Sequence, residues 1–239
     1  MLHSFWNITL YEPLVNTLAV LTSIIPGGDV GVAIIILTII VKIALYPLSQ
    51  KAIVGQAKMN ILTPLINQIK QSGASKEEQA RQTFELYKKY KTNPFSGCLL
   101  ILIQIPIIFA LYYVFLRGLS FDEGILYSFV NVPPNINMSF LGMIDIHGKS
   151  FLLAILAGAS QYLQAHFMPK PPTPTGDGNS FQENFAKSMH LQMKYFFPFL
   201  ITFIAYSVSG AIALYWVTSN LFAVGQQIYA TKKKHLDVV

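Results

Sequence analysis

One lysine, at position 42, interrupts a long apolar run that extends from residue 30 to residue 48 (VGVAIIILTIIVKIALYPL) and holds no other charge. If this run is a helix in lipid, a lysine near its middle costs on the order of 2.5–3.5 kcal/mol. Such a residue usually faces a water-filled cavity or a binding partner. There its ammonium group attracts acidic and polar groups without covalent chemistry.

A second interpretation of Lys42 is that its side chain snorkels to the membrane surface. Lys42 lies five residues before Pro47, which is about 7.5 Å along a helix, and a lysine stem nearly covers that distance. The apolar runs of the chain contain no Asp or Glu, so Lys42 has no ion-pair partner within them. An unpaired charge favours a wet groove that opens to the cytoplasm, although both interpretations remain open.

Uncharged polar residues within the apolar runs are the next candidates for such a groove. Gln104 lies two residues before Pro106, which frees a backbone carbonyl, so it is the best second candidate. Tyr215 and Trp216 are either packing residues and interface anchors or substrate contacts. The remaining polar residues are Thr38, Gln161, Gln164, Ser219 and Asn220. The competing role for each polar residue is a hydrogen bond between helices, which contributes about 0.6 kcal/mol.

Composition indicates a membrane protein. Hydrophobic residues make up 53% of the chain and charged residues 12%, about half the charged fraction of a soluble domain. The net charge of +6 then indicates lysines that face anionic lipid or ribosomal RNA, and not DNA. The single cysteine, Cys98, excludes an intramolecular disulfide and a cysteine-built metal site. Without a HExxH, GxSxG or P-loop motif, we expect no enzyme activity, catalytic residue, metal or cofactor.

Five apolar runs approach the roughly 20 residues that a membrane-spanning helix needs. They are residues 30–48, 95–116, 150–168, 194–209 and 211–230. Residues 1–29 are predicted to be extracytoplasmic. Their apolar stretch 9–24 contains Glu12 and Pro13, which indicates an interfacial helix, with a short span as the alternative.

Residues 49–94 are predicted to form an antiparallel helical hairpin outside the membrane. Apolar residues recur there at helical spacing, Ser72-Gly73-Ala74 breaks the pattern, and Ser75 begins a capping box with Glu78. Pro64 is expected to kink or interrupt the first helix. The hairpin lysines are either a solvated face or a landing surface for anionic lipid, a ribosome or a nascent chain. The candidates for this surface are Lys51, Lys58, Lys70, Lys88 and Lys89.

The positive charges orient the predicted spans. Of seventeen lysines and arginines, fourteen lie in the hairpin, in or beside the loop 169–193, and in the tail 231–239. These segments share one side if the chain crosses the membrane five times, and the positive-inside rule makes that side cytoplasmic. The N-terminus and the connection 117–149 are then outside. The predicted fold class is an all-α membrane protein with five transmembrane helices, a cytoplasmic helical hairpin and an N-terminal interfacial helix.

Long stretches of the sequence resemble the YidC/Oxa/Alb family of membrane protein insertases. They are TIIVKIALYPLSQKA (38–52), KMNILTPLINQIK (58–70), LYKKYKTNPFSGCLLILIQIPIIFALYYVF (86–115) and SGAIALYWVTSNLFAVGQQ (209–227). The resemblance implies five conserved spans and a cytoplasmic hairpin. It also implies a hydrophilic groove that opens to the cytoplasm and lipid and is closed to the outside.

The resemblance further implies roles for individual residues. Lys42 takes the position of the family's positive groove residue, at which most bacterial members have arginine. Gln104 matches a groove glutamine, and Tyr215 and Trp216 lie in a stretch that contacts substrates. With Thr38, these residues make up the predicted substrate groove.

The implied function is a membrane protein insertase and chaperone. It would move nascent transmembrane segments from the cytoplasm into the bilayer of the bacterial plasma membrane, alone or with the Sec translocon. The expected partners are nascent membrane proteins, anionic lipids and a ribosome, and the expected active form is a monomer. A small-solute transporter is one alternative, but it predicts internal repeats that the sequence lacks. A non-catalytic assembly scaffold is the other.

Overall fold

The computed structural model describes residues 6–92, 96–116, 121, 124–168, 188 and 191–236, and these are mostly helical. The predicted loop 169–193 lies outside the described residues except at positions 188 and 191–193. The last three residues of the predicted tail, 237–239, also lie outside them.

The described residues in the first half of the chain form five α-helices. A π-helical segment, Asn7–Tyr11, leads into α1, Glu12–Ile24. Helix α2 is Val30–Ala44, α3 is Tyr46–Gln71, α4 is Lys76–Lys89 and α5 is Ser96–Leu116.

The second half begins with a short antiparallel ribbon of β1, Ser139–Phe140, and β2, Ile144–Asp145. Three longer α-helices follow among the residues that the structure describes. Helix α6 is Phe151–Phe167, the π-helical segment Gln192–Phe196 leads into α7, Phe197–Ser207, and α8 is Gly210–Leu236.

Helices α2 and α3 are separated by a single residue, Leu45. Pro47 lies in the first turn of α3, where a missing backbone N–H costs no helical hydrogen bond. Val30–Ala44 and Tyr46–Met59 are bent by 63° relative to one another, and together they have the length and composition of a membrane span. Within the described residues, no single helix is both long and apolar enough to cross a bilayer.

Helix α8 is the centre of the helix packing, because it contacts α2, α3, α5, α6 and α7. Helices α6 and α7 pack closely against each other at Gly158. A Cβ atom at this position would overlap the Thr202 hydroxyl and lie 2.9 Å from the Pro198 carbonyl oxygen. Small residues are what allow helices in membranes to pack this closely.

The turn between α3 and α4 contains the predicted N-cap. Ser75 Oγ accepts a hydrogen bond from the Glu78 N–H at 3.3 Å. The Glu78 carboxylate accepts bonds from Arg81 and Gln82 at 2.9 Å each, instead of closing a reciprocal capping box with Ser75. These two bonds lower the pKa of Glu78 below its ordinary value.

Helix α4 returns along α3. Thr92 Oγ1, just beyond α4, donates to the carbonyl oxygen of Gly55 in α3 at 3.5 Å. Helix α3 is not interrupted at Pro64. A proline inside a helix removes one backbone hydrogen bond, and the rest of this 26-residue helix persists on both sides of that loss.

The connection between α5 and α6 covers the N-terminal ends of α2 and α8. The Val30 N–H donates to the Asn137 carbonyl at 3.0 Å, and the Ala211 N–H donates to the Ile146 carbonyl at 3.0 Å. Both donors lie in the first turn of a helix, where backbone N–H groups have no partner within the helix. The side chain of Ile146 is fully buried beneath this connection.

Candidate functional site

Three helices contribute to a polar chain around Lys42. The Lys42 ammonium, in the last turn of α2, donates to Gln104 Oε1 at 3.2 Å. The Gln104 amide nitrogen, in α5, donates to the Tyr215 hydroxyl in α8. The structure therefore joins Lys42, Gln104 and Tyr215, which are far apart in the sequence.

The periodicity of α2 explains why Lys42 points toward the other helices. Its buried residues recur at helical spacing: Val30, Gly31, Ala33, Ile34, Leu37 and Thr38. Lys42 lies one turn beyond Thr38 and continues this buried stripe. Ile39, Ile40 and Ile43 are exposed on the remainder of the helix surface. The lysine is thus half-buried on the packed face of α2 and not on its exposed apolar face.

The hydrogen-bond partner of Lys42 among the described residues is neutral. No salt bridge joins Lys42 to an acidic side chain in the described part of the chain. The side-chain carbonyl oxygen of Gln104 accepts the hydrogen bond from the Lys42 ammonium, and its NH₂ group donates to the Tyr215 hydroxyl. The site therefore offers one positive charge that is hydrogen-bonded but not neutralised, which is suited to attract a carboxylate.

The other two predicted groove residues lie on the same helices and have different partners. Thr38 is 2% exposed, and its hydroxyl donates to the Ile34 carbonyl at 2.7 Å within α2. Trp216 follows Tyr215 in α8 and is partly buried against the hydrophobic core. The structure therefore joins three of the five predicted groove residues by hydrogen bonds. Thr38 lies one turn before Lys42 on α2, and Trp216 is the residue after Tyr215 on α8.

The predicted landing surface is spread over α3 and α4. Lys51, Lys70, Lys88 and Lys89 are exposed, and Lys58 is half-buried. The Lys88 ammonium lies 4.8 Å from the centroid of the Phe84 ring, and that of Lys89 lies 6.0 Å from the Tyr90 ring centroid. A cation over an exposed aromatic ring is stabilised by about 0.5–1 kcal/mol. These lysines lie beyond the bend at Leu45, on different elements from Lys42.

Sequence patterns alone do not single out a second polar cluster, between α3 and α8. Its centre is Gln226, which is 8% exposed. Gln226 Oε1 accepts from the Ser49 hydroxyl at 3.1 Å, and its amide nitrogen donates to Gln50 Oε1 at 3.4 Å. Gln226 lies eleven residues after Tyr215, close to three helical turns, so both face the same side of α8. The spacing of eleven residues from Tyr215 is the sequence signal that could have identified Gln226.

Comparison with known proteins identifies the family. The chain matches the model of the family described as 60Kd inner membrane protein over residues 20–237. It is 35% identical, over 239 residues, to the membrane protein insertase YidC of Clostridium tetani, and the alignment covers 97% of each chain. The chain belongs to this family. Its members are membrane proteins of the YidC/Oxa type, so this chain is a membrane protein, and theirs is not a known enzyme family.

Other relatives in the family are considerably longer. The chain is 31% identical to the membrane protein insertase YidC of Oleidesulfovibrio alaskensis over 229 residues, which are 95% of this chain and 39% of that protein. A crystal structure of active YidC insertase with the first transmembrane domain resolved has a TM-score of 0.49 and 24% identity. That match covers 82% of this chain and 40% of the other. This chain therefore spans about two fifths of the length of several YidC relatives.

Proposed function

We propose that this protein inserts nascent transmembrane segments from the cytoplasm into the lipid bilayer, through a hydrophilic groove that contains Lys42. The observation that carries the proposal is the chain of hydrogen bonds from Lys42 through Gln104 to Tyr215. It joins three helices around a positive charge with no acidic partner among the described residues. The relatives named membrane protein insertase support the same activity.

Electrostatic attraction is the proposed role of Lys42. A carboxylate on the polar tail of a substrate would replace Gln104 Oε1 as the partner of the ammonium. The Coulomb attraction between two unit charges 4 Å apart is about 4 kcal/mol at an effective dielectric constant of 20, compared with about 1 kcal/mol in water. This attraction offsets part of the cost of bringing an acidic residue part-way into the bilayer. No covalent bond is made or broken in this proposed process, so it is not enzymatic.

The groove is proposed to admit substrates from the cytoplasmic end. The connection between α5 and α6 covers the N-terminal end of α2, and Lys42 lies twelve residues from Val30. That separation is about 18 Å along the helix. Lys42 is therefore nearer to the opposite end, where the hairpin lysines accumulate. Transfer of about 20 apolar residues into lipid would drive release, and the membrane potential would add force on acidic residues.

The proposed topology has five spans, with the N-terminus outside and the C-terminus in the cytoplasm of a bacterium. The cytoplasmic hairpin is proposed to comprise the part of α3 beyond the membrane, together with α4. Exposed lysines on both helices support a capture role for anionic lipid, ribosomes or nascent chains. We also propose that the protein acts as a monomer, with or without the Sec translocon.

Reconstitution tests the proposed activity. The purified chain in liposomes receives a small single-span substrate with an acidic extracytoplasmic tail, and insertion is measured by protection of that tail from protease. We expect stimulation over empty liposomes by the unaltered chain and by Lys42→Arg. Lys42→Ala should reduce insertion roughly tenfold, which corresponds to about 1.4 kcal/mol.

The control variant is Lys76→Ala, which removes an exposed lysine from α4 and keeps the same net charge as Lys42→Ala. It should insert the substrate as the unaltered chain does. A substrate with a neutral tail should be less sensitive to Lys42→Ala. Equal insertion with and without protein would reject the insertase proposal, whereas equal activity of Lys42→Ala on both substrates would reject only the role of Lys42.

A further inference from the structure

The connection between α5 and α6 exposes large apolar side chains at two turns. Phe129 is 79% exposed and Met143 is 78% exposed, which makes them more exposed than any other large hydrophobic residue in the described part of the chain. Leu141, beside Met143, is 58% exposed. Single exposed apolar residues are common in proteins, so exposure alone does not identify a function. The further evidence is the hydrogen bonding that holds these two turns in place.

Buried polar side chains fix both turns to the helices. Asn16 of α1, only 3% exposed, donates to the Ile125 carbonyl at 3.0 Å and accepts from the Tyr127 N–H at 2.7 Å. It therefore clamps the residues that lead into Phe129. Asp29, the N-cap of α2, accepts from the Leu141 N–H at 2.7 Å. It clamps the turn that carries Met143.

The backbone is strained at the second turn, which carries Leu141 and Met143. Leu141 has a φ of +52°, a left-handed conformation that is rare for a bulky side chain. Glycine or asparagine would adopt this conformation at lower cost. Residues in such conformations persist only when the surrounding structure holds them, as Asp29 does here. The turn thus presents an apolar side chain where a polar one would fit its conformation better.

Neighbouring residues have the chemistry of a membrane–water interface. The Lys149 ammonium lies 5.9 Å from the centroid of the Tyr206 ring, and the Phe151 ring packs edge-on against Tyr206 at 6.1 Å. Aromatic rings and lysines at helix ends gather at the level of the lipid headgroups. Lys149 follows the end of β2 by only four residues, so the ribbon that carries Leu141 and Met143 is connected to this level by a short segment.

We propose that Phe129, Leu141 and Met143 insert into the outer leaflet of the bilayer and anchor the connection to the lipid surface. Each clamp holds an apolar tip in place before contact, so little conformational entropy is lost when the tips enter lipid. A second copy of this chain and an emerging substrate are the other possible occupants of such a surface. Lipid is favoured because Lys149 and Phe151, which form the interfacial cluster together with Tyr206, follow the end of the ribbon by only four and six residues.

Spin labels on single cysteines test this anchoring. Cys98→Ser provides the background, and Phe129→Cys, Met143→Cys and the control His147→Cys are labelled one at a time. Position 147 is exposed in the same connection but is polar. The proteins are reconstituted, without substrate, in vesicles of phosphatidylethanolamine and phosphatidylglycerol. Collision of each label with oxygen, which prefers lipid, is compared with collision with a water-soluble nickel chelate.

We expect the ratio of oxygen to nickel collisions to be higher at positions 129 and 143 than at 147. The ratio should not change when the protein-to-lipid ratio is reduced fivefold. Three results would overturn the proposal: equal ratios at all three sites, nickel protection that disappears on dilution in lipid, or protection only after substrate is added. The second result would indicate a second copy as the occupant, and the third would indicate substrate. If either Phe129→Cys or Met143→Cys fails to fold, the collision ratio at the other position still tests the proposal.

Discussion

Replacement of Gln104 by leucine tests whether the Lys42 ammonium is a half-buried charge that depends on Gln104 as its hydrogen-bond acceptor. The substitution removes the only acceptor that the described residues offer to the Lys42 ammonium. Tyr215 loses one hydrogen bond between neutral groups. The main cost therefore falls on the charge.

Its magnitude follows from the type of bond that is lost. A hydrogen bond to a charged group contributes about 1.5–3 kcal/mol, whereas neutral hydrogen bonds between membrane helices average about 0.6 kcal/mol. We expect Gln104→Leu to lower the free energy of unfolding by about 1.5 kcal/mol. Lys42→Met should be neutral or stabilising, because it removes the half-buried charge together with its need for a partner.

The double variant separates a direct interaction from two independent effects. Once Lys42 is methionine, Gln104→Leu no longer leaves a charge without an acceptor. The stability of the double variant should therefore lie within about 0.5 kcal/mol of Lys42→Met, rather than at the sum of the two changes. Unfolding is measured by titration of detergent-solubilised protein with sodium dodecyl sulfate.

A matched control is Gln161→Leu, the same change in α6. The Gln161 side chain makes no hydrogen bond to another described residue, so its replacement should not destabilise the protein. If Lys42 instead snorkels to water, Gln104→Leu should have no more effect than Gln161→Leu. That outcome, together with a destabilising Lys42→Met, would refute the interpretation of Lys42 as a charge held in a groove.

Three further predictions concern the surroundings of the site. Gly158→Ala should destabilise the protein by about 1–3 kcal/mol in thermal unfolding, because its Cβ overlaps Thr202; adding Thr202→Ala should recover only part, since the Pro198 carbonyl remains. Ser75→Ala should cost about 1 kcal/mol and speed hydrogen exchange in the first turn of α4, whereas equal exchange would show that the cap is not stabilising. Arg81→Ala should raise the pKa of Glu78 toward its ordinary value of 4.5 in a carbon-13 NMR titration. Because the folded pKa is lowered, this contribution to stability is present above pH 4.5 and is lost as the pH falls through the folded pKa.

Much of the helical architecture could be predicted because it depends on local chemistry. The serine at 75 begins α4 as expected, and its hydroxyl caps the Glu78 N–H. Proline is a weaker local signal: Pro64 lies inside a continuous helix, and Pro47 is the second residue of α3, which follows α2 after a single residue. The bend of 63° at Leu45 lies between two helices that both pack against α8, and periodicity does not encode the angle between them.

The sequence by itself determined that the chain carries one lysine in an apolar run without an acidic partner, because composition and hydrophobic periodicity are properties of short stretches. Only the tertiary structure decided which groups satisfy that lysine. Gln104 follows Lys42 by 62 residues and Tyr215 follows Gln104 by 111, so their contact depends on how α2, α5 and α8 pack. The same holds for Gln226 and Ser49 and for the clamps at Asn16 and Asp29. Side chains from distant segments meet only when the helices between them have fixed their relative positions.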